Sequence, residues 1–304
     1  MRFDADSAKS MKNLLTDIVG VRVGHADDQA LASGVTAIIF DRPAVAAIDI
    51  RGGGPGIREG AVLDLENTVE QIHGIALAGG SAFGLEAGGG VQAWLAEQGR
   101  GFAVGGARIP IVPGAICFDL LNGGNKAWGR FAPYRELGYA AATAASADFA
   151  LGSVTVGDGP WFWAAPFETG GEFGGRGLPA DFTPDMLEMR IKGGPSATSV
   201  ENTTLAVVVT DATLTKPQAK RLAMMAQTGF ARSIYPVHAP LDGDVVFAAA
   251  TGEKPVDPLA GLTELGMVAA NVMARAIARG VYEATALPFP GALPAWKDLF
   301  GESV

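Results

Sequence analysis

The sequence predicts a layered α/β or α+β fold, and three patterns predict it. Apolar runs of strand length recur between turn residues, longer helical patterns lie between them, and no fixed repeat of about 20 to 50 residues is evident, which argues against a solenoid or propeller.

The strand candidates, in order, are Thr36–Phe40, Ala44–Ile50, Ile72–Leu77, Ile109–Ile111, Leu205–Val209 and Val245–Ala249. Each is short, apolar and bounded by turn formers. Helical patterns span about 83–98, 134–147, 216–230 and 257–280. In the last of these, Leu262, Leu265, Val268, Ala269, Val272 and Ile277 follow helical spacing, and Asp257-Pro258 supplies a cap and a first helical position. Glu264, Asn271, Arg275 and Arg279 interrupt its apolar character, so it reads as a core-facing helix and not as a membrane span. One stretch breaks the rhythm. Trp161–Pro195 mixes glycine pairs and prolines with Trp161, Phe162, Trp163, Phe167 and Phe173, and a loop of that length inside a domain is commonly functional or disordered. It leads towards Asn202-Thr203, where glycine freedom would let the chain arrive without being locked into a sheet.

Composition narrows the class. Hydrophobic residues make up 48% of the 304 and charged residues 18%, so much of the surface is expected to be buried in a core or at contacts of a homo-oligomer. The 42 glycines show no collagen-like period and cluster between apolar runs, which reads as close backbone approach around a packed sheet. A net charge of −9 speaks against nucleic acid and against anionic membrane surfaces. The single cysteine, Cys117, sits between Ile116 and Phe118 and reads as a small buried hydrophobe. The polar start Met1–Asp6 lacks the apolar core of a secretory signal, so the cytoplasm is the default expectation.

The chemistry concentrates at two strand mouths. Glu201-Asn202-Thr203-Thr204 runs directly into Leu205–Val209, and Asp242-Gly243-Asp244 runs directly into Val245-Val246-Phe247. If the two runs pair, a threonine hydroxyl and two carboxylates share one sheet edge. A threonine there can attack the carbonyl before it and expose its own α-amine, whose ordinary pKa of about 7.7 to 8.0 leaves a useful neutral fraction to act as base. An ordinary strand entrance fits the same residues, since Thr favours strands and Asn the turns before them.

Other constellations are weaker. Arg51-Gly52-Gly53-Gly54-Pro55-Gly56 and Gly79-Gly80-Ser81-Ala82-Phe83-Gly84 lack the endings of phosphate-binding loops and fit backbone crowding near a pocket; Ser81 could cap the following helix or hydrogen-bond substrate. Lys126, in Asn122-Gly123-Gly124-Asn125-Lys126, is either a surface lysine or a cation that polarises a carbonyl or pairs with Asp242 or Asp244. His25, His73 and His238 show no ligand spacing, which disfavours a metal.

Taken together, these blocks resemble the self-processing peptidases that include L-aminopeptidase/D-esterase, the β-aminopeptidases and the nylon-oligomer hydrolases. The likeness runs from about Asp17 to about Gly252 and is closest at Asp49–Gly56, Asn122–Gly129 and Asp242-Gly243-Asp244. It implies a four-layer αββα sandwich of the N-terminal-nucleophile, ornithine-acetyltransferase type over 1–304, self-cleaved between Asn202 and Thr203 into chains 1–202 and 203–304. It also implies Thr203 as nucleophile, with Asp242 at its amine, Asp244 orienting them, and Lys126 in the site. No metal or organic cofactor is expected, the substrate is a small peptide or amide, and the assembly is a homotetramer or larger.

Departures bear on specificity. Phe83 stands where nylon-oligomer hydrolases carry a tyrosine, and Ser153 where several relatives have an oxyanion-binding asparagine. Two alternatives fit the same residues: acyl transfer of the ornithine-acetyltransferase type, and an unprocessed, non-catalytic binding protein.

Overall fold

The chain opens with β1 (Val21–Asp28) and β2 (Ser33–Ile50), an antiparallel pair with Val21 opposite Phe40 and Asp28 opposite Ser33. After them come β3 (Gly56–Arg58), β4 (Gln71–Ala78), α1 (Ala87–Glu97), β5 (Phe102–Val104), β6 (Ala107–Ile109), β7 (Gly114–Ile116) and α2 (Tyr134–Thr143). The C-terminal part supplies β8 (Leu205–Ala212), α3 (Lys216–Ala226), α4 (Thr228–Ala231), β9 (Val245–Lys254), α5 (Ala260–Glu283) and α6 (Trp296–Phe300). This computed structural model describes residues 14–145, 155–156, 159–188, 203–240, 242–288, 292 and 294–301.

Seven strands hydrogen-bond in the order β3-β7-β4-β2-β9-β8, with β1 also on β2, while β5 and β6 form a separate hairpin. Strand β2 ties the sheet together. Its first part pairs with β4 through Val35 opposite Ala78, and its last part pairs with β9 through Ile50 opposite Val245. Between the two parts the register with β4 slips after Ile39, and Asp41, Arg42 and Pro43 stand exposed. Proline has no N–H for the ladder, so a bulge there is the physical expectation.

Alternation along the strands separates three cores. Ile38, Phe40, Ala44, Ala46 and Ile48 of β2 cluster with Val245, Phe247 and Ala249 of β9 and with Leu205, Val207 and Val209 of β8. None of the α-helices contributes to this cluster among the described residues, so its burial comes from the two halves of the sheet, joined along β2, packing on each other. The opposite face of the first part, with Val35, Ala37, Ile39, Ala76 and Ala78, is covered by Val91 and Leu95 of α1 and Tyr134 and Ala141 of α2. Val246, Ala248 and Ala250 lie instead under Leu222 and Ala226 of α3, Phe230 of α4 and Met273 of α5. Helix, sheet, sheet, helix is the αββα order.

Glycine inside helices carries a cost of about 1 kcal/mol relative to alanine, and here the reason is steric. A Cβ on Gly90 would fall 1.9 Å from the Arg135 carbonyl oxygen, and one on Gly138 would fall 2.1 Å from that of Ala87. Only glycine lets α1 and α2 cross this closely.

Several expectations need correction. The runs 36–40 and 44–50 are one strand and not two. Ile109 ends an exposed hairpin strand, while Ile111 leaves the ladder past Pro110 and packs in the central core. The long C-terminal helix begins at Ala260, so Pro258 is not its first residue; the Asp257 carboxylate nevertheless accepts from the Leu259 and Ala260 amides, which holds its pKa down. Val268 and Val272 face outward, and the buried stripe is Leu262, Gly266, Ala269, Ala270, Met273, Ala274 and Ile277. The described part of the aromatic insert is not a loose approach segment. Phe162 and Phe173 are buried with Ala274, Ala278, Val281 and Trp296, and Glu172 binds both Arg275 and Arg279.

The start of α3 holds a group the sequence reading passed over. Lys216 is buried and donates to four carbonyls, those of Val62 (3.0 Å), Asp64 (2.7 Å), Asn67 (3.1 Å) and Val69 (2.9 Å). A cation in the first turn opposes the helix dipole, so these carbonyls must offset both that and burial. Replacing Lys216 with methionine strips the carbonyls of their donor and should destabilise the fold by at least about 1.5 to 3 kcal/mol, measured by urea unfolding. Unchanged stability would contradict that role.

Candidate active site

Strands β8 and β9 run parallel and in register, with Leu205 opposite Val245 and Val207 opposite Phe247. Their N-terminal mouths therefore lie side by side, and the residues just before each strand meet. The Val245 amide donates to the Thr204 carbonyl at 3.0 Å, extending the ladder one step into the loop.

Asp244 closes the other side of Thr204. Its Oδ1 accepts from the Thr204 amide at 2.8 Å, while Oδ2 accepts from the His238 amide at 3.1 Å and lies 2.9 Å from His238 Nδ1. The residue is only 2% exposed. A buried carboxylate needs such donors, because burial without partners would force it to neutralise. Gly243, between the two aspartates in the chain, lets the Thr203 side chain settle against the backbone: a Cβ there would sit 2.7 Å from Thr203 Oγ1.

The Arg51–Gly54 turn forms the floor. Arg51 and Gly52 amides donate to the Asp244 carbonyl at 3.0 and 3.2 Å, and the Gly54 amide donates to the Asp242 carbonyl at 2.7 Å. A Cβ on Gly52 would stand 2.2 Å from the Asp242 carbonyl oxygen, so the glycines reflect backbone crowding. Helix α3 anchors this floor from behind. Gln227 donates to the Asp49 carbonyl at 3.0 Å, and the Asp49 carboxylate binds Arg51 at 2.8 Å and Lys220 at 3.4 Å.

Asp242 serves a different contact from its neighbour. Its Oδ2 accepts from the Ala239 amide at 2.6 Å, and its pKa is raised, first by burial and further by the Asp244 charge, with the Ala239 bond and His238 acting the other way.

The second group gathers around the start of β2. Gly79-Gly80-Ser81 leaves β4 in a left-handed turn, with Gly80 at φ 83° and Ser81 at φ 52°. The Ser81 amide donates to the Cys117 carbonyl at 3.0 Å, and Ser81 begins a short 3-10 turn whose N-cap is Gly80, so it does not cap the helix through its side chain. Phe83 is half exposed and meets the Trp128 ring edge-on at 5.3 Å. Lys126 donates to the carbonyls of Leu31 and Ala32 and not to Asp242 or Asp244. Asp119, absent from the sequence reading, organises this turn: Oδ1 accepts from the Gly80 amide at 2.7 Å, and Oδ2 accepts from Ser33, whose hydroxyl also receives the Tyr134 hydroxyl at 2.9 Å. Pairing of Gly56 with Ile116 links this group to the floor of the first. Asn202 and Ser153 lie outside the described residues.

Thus Thr203, Asp242 and Asp244 come together, while Ser81, Phe83 and Lys126 form a second cluster across the Arg51–Arg58 segment. His238 was legible only as a histidine without ligand spacing; its place six residues before Asp244 was the available signal.

Comparison with known proteins agrees with this architecture. The chain matches peptidase family S58 over residues 13–170 and 168–292, and it belongs to that family, a class of peptide- and amide-bond hydrolases. An uncharacterized aminopeptidase of Mycobacterium bovis is 37% identical over 95% of this chain and 98% of its own length. A 6-aminohexanoate-oligomer endohydrolase of a Kocuria species is 27% identical over 86% of this chain and 84% of its own. Among solved structures, the L-aminopeptidase D-Ala-esterase/amidase of Ochrobactrum anthropi, described as a variant of the Ntn hydrolase fold, superposes with a TM-score of 0.64 at 19% identity, covering 91% of this chain and 88% of that one. A Burkholderia β-aminopeptidase gives 0.63 at 19%, covering 94% and 91%, and at such identity these two establish the fold.

The raised Asp242 pKa has a thermodynamic consequence. Between its unfolded value near 3.8 and its higher folded value, the native state binds more protons, so stability falls as pH rises through that window. Asp242→Asn keeps the acceptor for Ala239 and removes the titration. Its melting temperature should fall less than wild type's as pH rises above about 3.8, read by calorimetry; parallel curves would contradict the assignment.

Proposed function

We propose that the chain is an autoprocessed N-terminal-nucleophile amidohydrolase that releases N-terminal residues from small peptides, or cleaves amide oligomers or esters, through an acyl-threonine intermediate. The observation that carries this reading is Thr203 Oγ1 over Gly243, with the next amide held by Asp244 at the mouth of a parallel strand pair.

In the processing step, Thr203 Oγ attacks the Asn202 carbonyl carbon. The carbon–oxygen bond forms as the carbon–nitrogen bond breaks, and the hydroxyl proton ends on the Thr203 nitrogen. Water then splits the ester, leaving an Asn202 carboxylate and a free Thr203 hydroxyl and amine. Chains 1–202 and 203–304 stay together as one αββα domain, because β8 and β9 lie on the far side of the cut from β2 yet share its core.

In turnover the liberated amine takes the hydroxyl proton as Thr203 attacks the substrate carbonyl, then returns it to the leaving amine; water releases the acyl group. Asp244, already aimed at the neighbouring amide, is placed to orient that amine, and Asp242 adds a second carboxylate. Lys126, Ser153 and Ser81 are assigned to substrate and oxyanion binding, where one lost donor costs about 2.7 to 4 kcal/mol of barrier. Phe83 offers an apolar edge and no hydroxyl. A homotetramer in the cytoplasm is the assembly and setting this reading favours. Among the described residues no helix is long and apolar enough to cross a membrane.

Thr203→Ala tests the reading. The variant should remain one uncut species by intact mass and lose turnover of aminoacyl p-nitroanilides by at least about 10³-fold. Cleavage and turnover both surviving the substitution would place the nucleophile elsewhere.

A further inference from the structure

Before the chain is cut, the nitrogen of Thr203 belongs to a peptide bond and has no lone pair to offer as a base. The first cleavage therefore depends on geometry that other groups impose on the hydroxyl. In the uncut chain that geometry is set by Thr204, gripped by the Asp244 carboxylate on its amide and by the Val245 amide on its carbonyl.

What aims the carboxylate is His238. Backbone and ring of this residue both address Oδ2 of Asp244, at 3.1 and 2.9 Å, which turns Oδ1 towards Thr204. Two acceptors would repel at 2.9 Å, so Nδ1 carries the proton and donates it to the carboxylate. The residue adopts φ 58°, a left-handed conformation that side chains other than glycine seldom take and that collects at functional sites. Its ring leans on Phe230, centroids 6.1 Å apart, and its side chain is 21% exposed. Nothing in the proposed turnover uses it.

We propose that His238 is a positioning residue for the self-cleavage step: through Asp244 it fixes Thr204 and thereby seats the Thr203 hydroxyl over Gly243. This rests on the autoprocessing reading above and extends it. After the cut, the new α-amino group gives Asp244 a further partner, so the aim of the carboxylate depends less on the imidazole. His238 thus serves cleavage more than turnover.

Time-resolved intact mass of freshly made protein, with turnover measured per cut chain, tests this on three variants. His238→Ala is expected to slow cleavage about 10- to 100-fold, the effect of losing one hydrogen bond to a charged group. His238→Asn, whose amide N–H can occupy the place of Nδ1, should recover to within about threefold of wild type, whereas His238→Gln, whose amide lies at the Nε2 position, should not. Turnover per cut chain should fall less than the cleavage rate does in the alanine variant. Cleavage of the alanine variant at the wild-type rate overturns the proposal. Equal slowing in all three variants with matching falls in melting temperature also overturns it, since that is a fold defect. A wild-type chain that never cuts removes the autoprocessing reading itself, an outcome separate from either.

Discussion

The hydrogen bond from the Thr204 amide to the buried Asp244 carboxylate is the contact on which the functional geometry depends. It works because β8 and β9 are parallel and start level, with Leu205 opposite Val245, so a residue before one strand can reach a residue before the other. Antiparallel pairing would have sent the two mouths to opposite ends of the sheet. The carboxylate is desolvated, which strengthens the bond and also makes its loss expensive.

Much of the fold serves to hold those mouths level. The Arg51–Gly54 turn ties the end of β2 to the Asp242 and Asp244 carbonyls, and α3 with its C-terminal cap residue fixes that turn through Lys220 and Gln227 on Ile48 and Asp49. The sheet-on-sheet core beneath supplies rigidity, since residues from β2, β8 and β9 interlock in one cluster. Glycine recurs at close approaches: Gly90 and Gly138 where helix backbones touch, Gly52 against the Asp242 carbonyl, and Gly243 under the Thr203 side chain. Part of the high glycine content is therefore a packing feature, as the clustering of glycines between apolar runs had suggested, while others such as Gly99, Gly105 and Gly252 serve left-handed turns.

The strands nearest the chemistry were legible because both are continuous apolar runs bounded by polar clusters, and that pattern persists whatever the partners. Strand β1 was not, because Arg22, His25 and Asp27 interrupt it and only its pairing with β2 makes it a strand. The break at Asp41-Arg42-Pro43 hid the continuity of β2, since proline and exposed charges mimic a turn locally while flanking pairs hold the strand together. Thr203, Asp242 and Asp244 could be read from spacing and resemblance. Asp119 and Lys216 could not, as each owes its place to groups that only tertiary contact supplies, carbonyls about 150 residues away in the case of Lys216, while His238 offered only its spacing of six residues from Asp244. The aromatic insert misled for a related reason: glycine and proline signalled looseness, while Phe162 and Phe173 had a docking face on α5 that no local pattern discloses.

N-terminal sequencing of the purified wild-type protein addresses the central claim most directly. The account predicts a chain beginning Thr-Thr-Leu-Ala, from Thr203 onward, alongside the original N-terminus. A preparation that turns over amide substrates while yielding only the original N-terminus would contradict it.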